Sequence, residues 1–230
     1  MDQISRKIQV DPKPRRSSPR GPIGGTQVPI GEPRIIEGVT GAVLAGGRSR
    51  RFGSNKALTL WHGKPLAAAV LEVFKDLFRE SFVVVKKKEA FNLTVPLIED
   101  MDPDPHPLGG IVTALTRASM ENVFVCACDM PFVSAALVRF LCDQRGNGAA
   151  AVIPLWAGVP QPLCGVYASS CVAPFRERIL HGELSVVGAL ASVNTHFVHE
   201  NELRRWGETG MSFQDIDTPA DFERLSKSPS

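Results

Sequence analysis

The residue types best suited to chemistry are concentrated in one stretch, Gly41-Ala42-Val43-Leu44-Ala45-Gly46-Gly47-Arg48-Ser49-Arg50-Arg51-Phe52-Gly53-Ser54-Asn55-Lys56. It opens on a short apolar run, Ala42 to Leu44, of the kind that forms a buried strand, and then breaks into glycines, arginines and a lysine. Gly46, Gly47 and Gly53 let the backbone curl so that several amide N–H groups can face one anion. The Arg51 guanidinium and the Lys56 ammonium supply formal charge. A strand feeding such a loop is a device for cradling phosphate. It is not a P-loop, because Gly53 is followed by Ser54-Asn55 and Lys56 by Ala57. It is a poor dinucleotide fingerprint too, since Gly46 and Gly47 are adjacent and arginines follow.

A second candidate is Asp129. It follows Asn122-Val123-Phe124-Val125-Cys126-Ala127-Cys128, the most strand-like run in the chain. A carboxylate directly after a buried central strand sits at the edge of the sheet where α/β proteins bind ligands. There a hard oxygen suits Mg²⁺ beside a triphosphate. Ser134 is the better N-cap for the helix expected over Ala135–Cys142, which leaves Asp129 available for that role. Lys86-Lys87-Lys88 also end a predicted strand, Phe82–Val85, although a lysine run is more commonly a solvated face.

The elements that must position these groups alternate between the two periods. Leu66, Val70, Phe74 and Phe78 share one face of a helix beginning near Pro65. A short strand over Val95–Ile98 ends in Glu99-Asp100, and a Pro-rich loop leads into a helix over Ile111–Arg117. Ala149–Pro154 reads as a strand and Ser169–His181 as a helix. Thr218, Pro219 and Asp221 form an acidic capping arrangement for a last helix. The pattern predicts a single three-layer α/β/α domain with a mostly parallel sheet over residues 38–226. Residues 1–37, rich in Pro, Arg, Ser and Gly without apolar period, read as a flexible basic N-terminal arm.

Composition narrows the partners. With 230 residues and a 43% hydrophobic fraction the chain can bury one sizeable core. A net charge of +2 is too small to argue for nucleic acid as the main partner, and none is expected. Five scattered cysteines do not form a disulfide scaffold, and Cys126 and Cys128 read as small core residues of a strand. No run is long enough to span a membrane, and Arg15-Arg16 is not followed by the apolar segment of an export signal. A cytoplasmic protein is expected.

Several motifs together resemble one family. Leu44-Ala45-Gly46-Gly47, Arg51, Phe52, Gly53 and Lys56 resemble the L-A-G-G-x-S-x-R-M-G-x-D-K loop of the GT-A-like nucleotidyltransferases, with Asn55 in the place of the acid. Gly63-Lys64-Pro65-Leu66 is similar to their G-K-P-L turn, and Cys128-Asp129-Met130-Pro131-Phe132 to the C-D-M-P-F metal motif of the molybdenum cofactor guanylyltransferases. Gln161-Pro162-Leu163 with Tyr167 resembles their Q-P-L-x-x-x-Y segment, and Asp215-Ile216-Asp217-Thr218-Pro219 their N-I-N-T-P, with Asp for both asparagines.

The resemblance implies a Rossmann-like GT-A fold and Mg²⁺-dependent transfer of GMP from GTP to a molybdopterin-type cofactor. It implies that Leu44, Ala45, Gly46, Gly47, Gly53 and Lys56 hold the nucleotide, with Asp100, Leu108, Gly109 and Gly110 at the base. Lys56, Arg51 and Asp129 become the catalytic set, with Asp129 as metal ligand. Asp217 is either a second metal ligand or a cap. Gln161, Pro162, Leu163 and Tyr167 take the pterin substrate, with Trp156 and Tyr167 either stacking on it or packing in the core. A molybdoenzyme or a cofactor-delivery protein is the downstream partner. The alternatives are a cytidylyltransferase on the same cofactor, a sugar-phosphate or cobinamide-type nucleotidyltransferase, and a non-catalytic module that binds and delivers nucleotide or cofactor.

Overall fold

The computed structural model describes residues 35–45, 60–61, 63–87, 93, 95–146, 148–216 and 221, all within one compact unit, Pro33–Ser230. In chain order these residues form β1 (Val39–Leu44), β2 (Leu60–Trp61), β3 (Lys64–Pro65), α1 (Leu66–Phe74), β4 (Ser81–Val85), β5 (Leu97–Glu99), α2 (Pro107–Arg117) and β6 (Asn122–Ala127). Then follow α3 (Ala135–Asp143), β7 (Ala151–Trp156), β8 (Val159–Pro160), β9 (Cys164–Ala168), α4 (Val172–Leu180), α5 (Val186–Leu190), β10 (Thr195–His199) and α6 (Glu200–Arg205).

The main sheet runs β10-β7-β9-β6-β1-β4-β5, with β8 paired to β7. The pairs β1/β4, β1/β6, β4/β5 and β7/β10 are parallel, whereas β9 is antiparallel to both β6 and β7. The chain builds outward from β1 to β4 and β5, then crosses back to lay β6 on the other side of β1. That reversal opens a crevice at the carboxyl ends of β1 and β6, where α/β sheets bind ligands.

Alternation along each strand divides the core into two layers. Val83 and Val85 of β4 and Phe124 and Cys126 of β6 pack beneath α1, α3 and Leu203 of α6. Phe82, Val84, Val123 and Val125 face α2, Phe175 of α4 and α5. Phe74 meets Phe78 and Phe124 edge-on, with ring centroids 5.1 and 5.7 Å apart, an arrangement worth about 0.5–1.5 kcal/mol per pair beyond area burial. The three-layer α/β/α architecture is the one expected from the alternating pattern.

Several boundaries differ from expectation for local reasons. The folded unit starts before residue 38: the Ile36 amide donates to the Leu77 carbonyl, and Arg79 pairs with Glu37 at 2.7 Å. Pro65 closes β3 and caps α1 rather than entering the helix, and α1 stops at Phe74, though Phe78 still packs in the core. The helix expected from Ile111 begins at Pro107, because the His106 side chain caps it and Pro107 needs no amide partner in the first turn. Ser134 caps α3 as expected, accepting from the Leu137 amide at 3.1 Å. The helix after Ser169 starts as a single 3₁₀ turn over Ser169–Cys171 before α4. Thr218 and Pro219 lie outside the described residues.

Candidate functional site

The crevice is framed first by the ends of β1 and β6. Leu44 stands opposite Ala127, and the pairing continues as the Cys128 amide donates to the Leu44 carbonyl at 3.1 Å. Ala45 is held toward β4 by its amide, 2.8 Å from the Val84 carbonyl. Asp129 is thus delivered half-buried to the carboxyl edge of β6, one residue beyond the ladder. Its carbonyl accepts from the Ile216 amide at 3.0 Å, so the segment ending at Ile216 returns to this edge. Across β6, the Leu163 carbonyl accepts from the Ala127 amide at 2.8 Å. That bond brings the Gln161–Leu163 connection to the same edge.

The other wall is the segment Asp100–His106 and the first turn of α2. The Asp100 amide continues the β4/β5 ladder by donating to the Val85 carbonyl at 2.8 Å, so Lys86 and Asp100 emerge side by side. Their side chains meet at 2.7 Å, with the Asp100 carboxylate only 3% exposed. Asp100 Oδ1 also accepts from Thr113 Oγ1 at 2.7 Å and from the Asp102 amide at 3.1 Å. Lys86 Nζ spends its other donors on the carbonyls of Asp102 and Asp104, at 2.8 and 2.6 Å. His106 Nδ1 accepts from the Gly109 amide at 3.0 Å, which places the ring proton on Nε2, 3.1 Å from Asp102 Oδ2.

The two glycines of this turn do different things. A Cβ on Gly109 would lie 2.8 Å from Asp102 Cβ and 3.1 Å from His106 Cε1. Its missing side chain therefore makes room for the loop rather than for a ring. A Cβ on Gly110 would point at the Leu44 methyls, 3.5 Å away, with Asp100 Oδ2 at 3.9 Å. Leu44, Asp100 and Gly110 thus converge on one spot beside the crevice. Leu108 is fully buried in the core under the sheet and contributes no exposed surface there. A groove of about 380 Å³ lies between α2 and α4, walled largely by Met101, Val112, Ile179 and Leu180, and it shares Met101, Asp102 and Gly109 with the wall of the crevice. Its largely apolar lining does not suit a polyphosphate.

Asp129 follows β6 and Asp100 follows β5 at the strand edge, the latter engaged by Lys86 and Thr113, and no group of three or more His, Cys, Asp or Glu forms a metal cage among the described residues. A carboxylate such as that of Asp129 is the kind of hard oxygen donor that Mg²⁺ bound with a nucleotide takes, one or two at a time, with phosphates and water completing its shell. The cysteines are not candidates for nucleophiles. All five are buried. Burial pushes the Cys126 thiol up, Cys142 to about 12 and Cys171 to about 11.

Comparison with known proteins bears directly on this arrangement. The family model for the MobA-like NTP transferase domain matches residues 41–193, from the middle of β1 to the approach to β10. The chain belongs to the MobA-like NTP transferase family. A probable molybdenum cofactor guanylyltransferase of Pelotomaculum thermopropionicum is 32% identical over 80% of this chain and 89% of its own length. The crystal structure of molybdopterin-guanine dinucleotide biosynthesis protein A from Archaeoglobus fulgidus is 28% identical, with a TM-score of 0.73 over 82% of this chain and 97% of that one. The 2-C-methyl-D-erythritol 4-phosphate cytidylyltransferase of Thermus thermophilus, 17% identical with a TM-score of 0.60, covers 81% of this chain and 98% of that one and shares the fold. This MobA-like chain is a nucleotidyltransferase, and its sheet is the GT-A-like one.

Within this MobA-like site the expected residues divide into three groups. Leu44, Ala45, Asp129, Asp100 and Gly110 frame the crevice, and Gln161, Pro162 and Leu163 border it through the Ala127 amide. Gly46, Gly47, Arg51, Gly53, Lys56 and Asp217 lie outside the described residues. Tyr167 is a correction. It is fully buried, its ring is 6.1 Å from Phe175, and its hydroxyl donates to the Pro162 carbonyl. It anchors the Gln161–Leu163 connection from beneath instead of offering a face to a pterin, and burial pushes its hydroxyl pKa well up. Trp156 is also engaged, with the Arg204 guanidinium 4.6 Å from its ring centroid and Phe213 at 5.6 Å. Nothing in the sequence singles out Thr113 or His106. The signal for Lys86 was its place directly after a buried strand, but its partners come from residues 14 to 18 positions later.

Proposed function

We propose that this protein transfers GMP from GTP to the terminal phosphate of molybdopterin or its molybdenum form, giving the guanine dinucleotide cofactor and pyrophosphate. The observation that carries this reading is the meeting of three segments at the carboxyl ends of β1 and β6: Asp129 between them, Asp100–Gly110 on one side and Gln161–Leu163 on the other. Two anionic substrates can approach one strand edge from opposite sides. The names of the relatives supply the substrate class.

The reaction needs no protein nucleophile. A phosphate oxygen of the cofactor attacks the α-phosphorus of GTP, a new P–O bond forms, and the bond to the β-phosphate's bridging oxygen breaks as pyrophosphate leaves. The protein positions two anions and stabilises the charge that grows on the α-phosphate and the leaving group. Lys56, Arg51 and the amides of the glycine-rich loop take that role. Asp129 would hold Mg²⁺, which would supply neutralisation of the phosphate charge. At position 46 the chain has glycine where cytidylyltransferases resembling this family carry alanine, and the smaller residue type suits a purine. Leu44, Asp100 and Gly110 form the side of the site next to the base.

The test is a panel of nucleoside triphosphates with Mg²⁺ and molybdopterin, reading pyrophosphate release and the dinucleotide by mass. GTP should be preferred over CTP by on the order of a hundredfold, since a mismatched base leaves buried polar groups unpaired. A dominant cytosine dinucleotide would overturn the guanylyl assignment while leaving the chemistry. Binding of nucleotide without pyrophosphate release would favour a delivery module.

A further inference from the structure

We infer that Lys86 is a positioning residue that sets the shape of the base side of the site, through a latch joining β4, the Asp100–His106 segment and α2. The inference rests on the functional reading above for what the base side binds, but the latch itself is read from geometry alone. An ammonium carries three donors. Lys86 Nζ places them on Asp100 Oδ2 at 2.7 Å, the Asp102 carbonyl at 2.8 Å and the Asp104 carbonyl at 2.6 Å. No donor is left for a phosphate, although the residue stands at the strand edge where a lysine would ordinarily meet one.

The latch has a second half. Asp100 Oδ1 accepts from Thr113 Oγ1, and the same hydroxyl oxygen accepts from the Met101 amide at 3.0 Å. Thr113 is buried two turns along α2 from His106, its cap. Asp102 Oδ1 accepts from the Asp104 amide at 2.9 Å, while Oδ2 faces His106, whose ring in turn caps the Gly109 amide. One cation therefore ties both ends of a segment with little apolar anchorage of its own. Met101, Asp104 and Pro105 are exposed. Gly110, whose open side faces Leu44 and Asp100, is carried by that assembly. A site held in its binding shape before the ligand arrives spends less of its binding energy on ordering. Losing Lys86 should therefore weaken nucleotide binding without slowing the transfer step.

The experiment compares the full chain with Lys86→Met and with Lys86→Met/Asp100→Asn, using GTP as the probe. The single variant leaves a buried carboxylate without its cation, which can cost the fold. The double variant removes that charge but not the need of the two carbonyls for a donor. In nucleotide-free protein, amides of residues 101–110 should exchange at least tenfold faster in the double variant, with those of β1 and β6 unchanged. Measured against Asp100→Asn alone, which accounts for the loss of the Asp100 carboxylate at the base, the double variant should show a GTP dissociation constant and KM raised about tenfold, with kcat within threefold. The single variant should show the same loop exchange and a lower Tm, which the double variant recovers. Unchanged exchange over 101–110 overturns the latch. Faster exchange with unchanged GTP affinity overturns its role at the base. A kcat collapse at unchanged affinity would make Lys86 a phosphate ligand and also overturn the inference. If the parent protein binds no GTP, the functional reading fails, and exchange alone then decides the latch.

Discussion

Gly109→Ala and Gly110→Ala should have opposite effects on stability, although the residues are adjacent in the first turns of one helix. Neither has a positive φ, so neither substitution meets backbone strain. Both gain helix propensity, about 0.5–1 kcal/mol. At Gly109 the new methyl would sit 2.8 Å from Asp102 Cβ and 3.1 Å from His106 Cε1, well inside contact distance. Neither neighbour is the loose end of a flexible chain: His106 is 8% exposed and bonded at both ring nitrogens. Overpacking of this kind costs about 1–3 kcal/mol, so the net effect is a loss of roughly 1–2 kcal/mol. At Gly110 the nearest atoms are the Leu44 methyls at 3.5 Å, an ordinary contact, and the propensity gain should survive. Urea unfolding of both variants decides the matter. With a slope near 2 kcal/mol/M, the midpoints should be separated by roughly 1 M, with Gly110→Ala the more stable and the slope unchanged. The same Gly110→Ala protein should show a raised KM for GTP, since its methyl occupies the spot where Leu44 and Asp100 converge. Equal midpoints would refute the claim that Gly109 is empty for the sake of the Asp102 loop. An unaltered KM in Gly110→Ala would remove that residue from the base site.

Three other outcomes are expected. Lys56→Ala should keep the fold, by far-UV circular dichroism and Tm, and lose about 2–4 kcal/mol of transition-state stabilisation, seen as a fall in kcat; near-parental turnover would exclude Lys56 from the chemistry. Asp129→Asn should lower activity and raise the Mg²⁺ midpoint together, in a titration of metal against rate, whereas an unshifted midpoint would assign Asp129 a purely structural part. In the native protein at pH 8 none of the five cysteines should react with a thiol reagent, and all should react in denaturant. With Cys171 raised to about 11, only on the order of one thiolate in a thousand is present there even before access is counted, so a fast-reacting native thiol would contradict the packing.

Much of this protein is legible along the chain because the relevant physics is local. Continuous apolar runs, Ala42–Leu44 and Val123–Cys128, each ending in a polar or glycine-rich break, announce strands buried on both faces whose carboxyl ends carry Leu44 and Asp129. Ser134 three residues before the amide it caps is a local signal, and the structure honours it. What lay beyond local reading depended on partners distant in sequence. The start of α2 moved from Ile111 to Pro107 because a histidine, oriented by Asp102, took the capping position. Tyr167 has the aromatic face and hydroxyl of a stacking residue, and nothing in its neighbours in sequence says that Phe175 and the Pro162 carbonyl will claim both. The three lysines after β4 look alike as a string. Only the parallel register of Val85 with Glu99 sets Lys86 beside Asp100 and turns one of them into a half-buried latch. Residue types determined which chemistry was available. The order of the strands, which fixes the neighbours that desolvate and saturate each polar group, decided which of the described residues border the crevice and which are spent in the core.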